Sequence, residues 1–107
     1  MIPAFSSADF IAKTDQLLQS IEDHLDQSDI DFDSQLSDGI LTITFENRSQ
    51  IIINRHAVNQ EIWVAAKAGG FHYRWNGHAW QDTRNNTLLH NDLAQHIRQQ
   101  SGEVFNF

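Results

Sequence analysis

Leu41-Thr42-Ile43-Thr44-Phe45-Glu46 alternates apolar and polar side chains, Asn47-Arg48-Ser49 is a run of turn formers, and Gln50-Ile51-Ile52-Ile53-Asn54 resumes in strand-forming residues. Alternation with period two sends one row of side chains into a core and the other into water. The stretch therefore predicts two antiparallel strands of a sheet with one wet face. Upstream, Asp38-Gly39 marks a turn, and Asp29-Ile30-Asp31-Phe32-Asp33 alternates in the same way, predicting a short edge strand with three aspartates on its exposed side. Downstream, Glu61 to Ala66 predicts another strand, and Phe71 to Trp75 and His78 to Asp82 flank Asn76-Gly77, the signature of a type I′ hairpin.

Two helices frame these strands. From Ser7, a candidate N-cap, to Gln27, the residues Phe10, Leu17, Leu18, Ile21 and Leu25 recur at helical spacing. Leu89, Leu93 and Ile97, at i, i+4 and i+8, mark a second helix ending near Gly102, and Val104 to Phe107 offers a final short strand. Helix, about six strands, helix is the order of an α+β two-layer sandwich, with both helices packed on one face of a mostly antiparallel sheet. A chain of 107 residues suits a single domain, 1–107.

Composition narrows the function. With no cysteine, disulfides, thiolate metal sites and cysteine nucleophiles are excluded, so any metal must bind through oxygen or nitrogen. The longest aliphatic run is Ile51-Ile52-Ile53, far short of the ~20 residues that span a bilayer. The first seven residues lack the cationic start and apolar run of a secretory leader, and the expected location is cytoplasmic. A net charge of −7 disfavours nucleic acid and anionic lipid as partners. Ten of the fourteen carboxylates fall within residues 1–46, opposed there by Lys13 alone. On a helix with 100° per residue, Asp15, Glu22 and Asp26 lie within about 40° of one another, and Asp23 stands one step further round. Glu22/Asp26 and Asp23/Asp26 are like-charge pairs that each cost a few tenths of a kcal/mol, which a binding surface explains better than a solvated face does. Exposed carboxylates suit hard, labile cations held weakly and with little selectivity.

Other residues are less telling. No His-Glu-x-x-His, Walker loop, dinucleotide fingerprint or Gly-x-Ser-x-Gly elbow is present. Of the six histidines, His24 stands on the acidic helix and could add a nitrogen ligand, although a solvated side chain is the simpler reading. Trp63 alternates against Ile62 and Val64, which places it on the outer face of the sheet, where an exposed tryptophan is either mere surface packing or, as a residue enriched in binding hot spots, a partner contact. Trp75 and Trp80 flank the hairpin as a cross-strand or core pair.

Ser28-Asp29-Ile30-Asp31 after an acidic helix, Gly39 through Asn47, Ile51 through Arg55, Ile62-Trp63-Val64-Ala65, Ala68 through Tyr73, the hairpin Trp75 through Trp80 and Gln99-Gln100-Ser101-Gly102-Glu103 together resemble the bacterial branch of the frataxin family. The likeness runs from Phe10 to the end. It implies an iron-binding accessory protein of iron–sulfur cluster assembly, a monomer and not an enzyme, that docks on the cysteine desulfurase and modulates cluster formation. The iron–sulfur scaffold protein is a second implied partner, and a ferroxidase-like catalyst or iron store is the alternative. By position, the resemblance implies weak, exposed binding of Fe²⁺ or Fe³⁺, with other divalent cations as possible substitutes, at Glu22, Asp23, Asp26, Asp29, Asp31 and Asp33. It implies partner contacts at Glu22, Asp23, Asp26, Asp29, Asp31, Asn54, Arg55 and Trp63. The chain departs from the family pattern in the short Gln27-Ser28 linker and at Ile11, where a histidine can occur. It also departs at His56, Val58 and Glu61, where glutamine, proline and glutamine are expected.

Overall fold

In the computed structural model, which describes residues 5–107, helix α1 spans Ser7–Asp26. The expectation about a leader rests partly on residues 1–4, which lie outside the described residues. Ser6 rather than Ser7 caps the helix, its hydroxyl accepting the backbone N–H of Asp9 at 3.1 Å. The helix buries Phe10, Thr14, Leu17, Leu18, Ile21 and Leu25 along one stripe. Thr14 is tolerated there because its hydroxyl donates to the Phe10 carbonyl one turn back, at 2.8 Å.

Six strands follow: β1 (Phe32–Ser37), β2 (Ile40–Phe45), β3 (Gln50–His56), β4 (Glu61–Ala66), β5 (Gly69–Trp75) and β6 (Trp80–Asp82). They form one antiparallel sheet in sequence order, and α2 (Leu89–Ser101) closes the fold. Leu41, Ile43, Ile51, Ile53, Ile62, Val64 and Tyr73 face the helices and are almost fully buried with Leu18, Ile21, Leu89, Leu93 and Ile97. Each such aliphatic contributes about 1.5–3 kcal/mol of burial. Both helices thus share one face of the sheet.

Three local expectations need correction. The edge strand runs over Phe32–Ser37 and not over Asp29 to Asp33, because its length is set by pairing with β2. Phe32 already faces Phe45, the last residue of β2, so nothing earlier has a partner. The sidedness survives: Asp29, Asp31 and Asp33 are exposed, Ile30 is buried and Phe32 half-buried. The β5–β6 connection is a four-residue loop rather than a type I′ turn. Trp75 and Trp80 are the last paired residues, and the Asn76 side chain accepts the N–H groups of His78 and Ala79, both at 2.8 Å. Val104 to Phe107 adds no strand; Phe105 is buried and its carbonyl accepts from Arg98 Nη1 at 2.9 Å.

Candidate functional site

The implied ligands fall into three groups along one edge. Glu22, Asp23 and Asp26 lie on the last turns of α1, where Gln19 Nε2 donates to Asp23 Oδ1 at 2.9 Å and Ser34 Oγ of β1 donates to Glu22 Oε2 at 2.7 Å. Asp33 stands exposed on β1. Asp29 and Asp31, in the linker, turn towards a concavity of about 420 Å³ that is also lined by Glu46, Asn47, Glu103 and the end of α2. Glu46 and Glu103 are further carboxylates at this concavity that no local sequence pattern marks. The β2–β3 turn and the residues after α2 bring them there, a convergence visible only once the helix is laid on the sheet. Among the described residues no three His, Cys, Asp or Glu side chains are grouped tightly enough to enclose a metal ion. The arrangement can attract hard cations and basic surfaces but imposes no coordination geometry.

Asp15, the fourth carboxylate of the helix face, differs from the rest because Arg55 Nη1 donates to it at 2.6 Å and also reaches Thr14 Oγ1 at 3.4 Å. Arg55 therefore shares the helix-facing side of β3 with Ile51 and Ile53, opposite Trp63. Asn54 is the implied contact that does meet Trp63, as its cross-strand partner.

On the outer face, Trp63 is packed between two imidazoles. The ring of His56 stacks at 3.9 Å and 7° on one side, and that of His72 at 4.2 Å and 5° on the other. The indole N–H donates to Glu61 Oε1 at 2.9 Å, while Arg74 Nη2 donates to Glu61 Oε2 at 2.7 Å. Glu61 is nearly inaccessible under this cover, at 6% exposure, yet both its oxygens are satisfied. Trp75 and Trp80 pack edge to face at 5.6 Å, and Lys13 Nζ sits 3.8 Å over the Trp75 ring.

His24 is engaged away from the carboxylates: its Nδ1 lies 2.8 Å from the Ser20 carbonyl and its ring packs on Phe107. Burial displaces three groups elsewhere. Tyr73 is pushed far above the usual phenol range by burial first, then by its hydrogen bond to Asp92 and by the charges of Asp92 and Asp82. His90 is lowered by burial and by His24, and His96 by burial against an opposing pull from Asp92.

A frataxin-like domain model matches residues 3–103. The iron–sulfur cluster assembly protein CyaY of Dechloromonas aromatica is 47% identical over 98 residues, covering 91% of this chain and 93% of its own. The CyaY protein of Paraburkholderia xenovorans is 41% identical over 102 residues, covering 95% and 97%. Among solved structures, frataxin from Psychromonas ingrahamii superposes with a TM-score of 0.89 at 33% identity over 95% of this chain and 97% of its own. Trimeric yeast frataxin complexed with ferrous iron superposes with a TM-score of 0.68 at 25% identity over 96% and 92%. Two helices on an open six-stranded antiparallel sheet, the sequence match and the structural likeness agree: the chain belongs to the frataxin family.

Proposed function

We propose that this protein is an iron-binding accessory factor of iron–sulfur cluster assembly that docks on the cysteine desulfurase through its acidic edge and contacts the scaffold protein through Trp63. It works in the bacterial cytoplasm as a monomer and catalyses no reaction of its own. The observation that carries this reading is the run of exposed carboxylates Asp23, Asp26, Asp29, Asp31 and Asp33, continuous with Glu22, with no Lys or Arg bridged to any of them among the described residues. The names of its relatives supply the pathway, and the ferrous complex of the yeast homologue supports iron as the cargo. Glu22, Asp23, Asp26, Asp29, Asp31 and Asp33 would hold iron weakly and exchangeably, and the same charges would steer a basic partner surface into contact. Nucleic acid and anionic membrane are outside this reading because a chain of net charge −7 is repelled by both.

The test is titration of purified desulfurase with the wild type and with a Glu22→Lys/Asp23→Lys/Asp26→Lys variant at low and moderate salt. Wild-type affinity should fall steeply with salt, and the variant should bind at least about tenfold more weakly at low salt. Equal affinities would overturn desulfurase docking at the edge. Trp63→Ala should weaken binding of the scaffold while leaving desulfurase binding unchanged.

A further inference from the structure

The two outer members of the ring stack on the sheet are titratable, and each has a neighbour that makes protonation consequential. His56 Nδ1 is buried with no hydrogen-bond partner among the described residues. His72 Nδ1 lies 3.8 Å from Glu61 Oε1, the same oxygen that accepts the indole N–H of Trp63. The other charged groups beside the stack are Arg74, which holds the second Glu61 oxygen, and Asp82 and Arg84, which line a small cleft with His72. The Asp82 carboxylate is already taken by the backbone N–H groups of Arg84 and Asn85 at 2.7 and 2.9 Å.

We propose that His56 and His72 form a proton-sensitive latch on Trp63, holding the indole closed against the sheet while both imidazoles are neutral and releasing it when they protonate. Its consequence for docking rests on the reading of Trp63 as a partner contact. A neutral imidazole can leave one nitrogen without a donor's role, whereas an imidazolium must donate through both. At His56 the second donor would be buried without an acceptor, so the charged ring must leave its place to find water. At His72 the new charge draws Glu61 Oε1 towards itself, and the indole N–H loses its acceptor. Cation–π attraction opposes this release, but it acts along the ring normal and cannot satisfy an N–H that points in the ring plane. Histidine is the side chain whose ordinary titration falls between about pH 5 and 8, and that sets the range a test must span. Once open, the face carries added positive charge around the indole, and burying that charge under a partner becomes costly.

The test has two arms. In the first, the indole N–H resonances of ¹⁵N-labelled protein are followed from about pH 8 to about pH 5.5, the span of histidine titration. The Trp63 resonance should move together with the His56 and His72 ring signals, while those of Trp75 and Trp80 stay in place. A His56→Gln/His72→Gln variant should lose most of the Trp63 movement. A flat Trp63 resonance, or the same movement in the variant, overturns the latch. In the second arm, affinity for purified scaffold protein is measured at about pH 7.8 and about pH 5.8, and the wild type should weaken roughly threefold to tenfold. The ratio of the two affinities should approach one in the double variant, whatever their absolute values; an undiminished ratio overturns the latch. If Trp63→Ala alters affinity at neither pH, the docking reading falls while the resonance arm still decides the latch.

Discussion

The acidic edge and the outer sheet face are surfaces of one small protein built in opposite ways. Along α1 and its linker, carboxylates stand in water with few partners, and among the described residues only Asp15 forms an ion pair. Around Trp63, Glu61 is almost inaccessible, both of its oxygens are engaged, and the indole is covered on both sides. An open row of charge acts at a distance, sets encounter rates and yields to salt. A closed, paired cluster acts only at contact and depends on shape. The difference teaches that the edge can attract several partners or ions in turn, whereas the outer face must be matched in shape before it is used.

The largest expected effect separates the two by stability. Glu61→Ala strips the acceptor from the half-buried indole N–H and should cost about 1–3 kcal/mol in denaturant unfolding, most of it from Trp63 because the Arg74 partner is largely exposed. A single alanine at Asp29 should stay within about 0.5 kcal/mol. Equal costs would erase the contrast. Of intermediate size is the response to cations. A divalent ion present at ten times its Kd adds about 1.4 kcal/mol, which for a domain of this size raises the melting midpoint by roughly 5–11 °C. Melting with anaerobic Fe²⁺, Mn²⁺ or Ca²⁺ against NaCl at matched ionic strength isolates the bound ion from screening, and a Glu22/Asp23/Asp26→Ala variant should lose the excess. The smallest effect runs the other way. Asp26→Asn removes two like-charge pairs and an unfavourable charge at the last residue of α1, so it should stabilise by a few tenths of a kcal/mol while weakening desulfurase binding. A loss of stability would show that the edge is not self-repelling.

Most of the fold was legible because alternation and helical spacing report burial directly. Leu41, Ile43, Ile51, Ile53, Ile62 and Val64 all face the core as their spacing requires, and Leu89, Leu93 and Ile97 line the buried side of α2. What escaped depends on partners rather than on local pattern. Asp29-Ile30-Asp31 has strand spacing but no strand beside it, since β2 ends at Phe45. Asn76-Gly77 carries hairpin residues, yet the Asn76 side chain organises a longer loop. The outward placement of Trp63 followed from its neighbours, but the imidazoles covering it follow from register: His72 is its cross-strand partner on β5, and His56 leans in from β3. Gln60 was equally invisible. Its amide pairs with both backbone groups of Phe5, at 3.0 and 2.7 Å, and ties the start of the described chain to the β3–β4 turn.

The β1–β2 turn couples a backbone position to the charge of a distant helix. Gly39 has φ +76°, and a Cβ built there would lie 2.7 Å from the Arg55 guanidinium, the group that neutralises Asp15. Any side chain at position 39 must therefore shift the Arg55 guanidinium as well as strain the turn, and so perturb its ion pair with Asp15. Substitutions at Gly39 and Arg55 should consequently be epistatic, because both act on the same ion pair with Asp15. A glycine that touches no carboxylate thus bears on how well one carboxylate of the acidic edge is neutralised, and drift at that turn would retune the edge's electrostatics without altering an acidic residue.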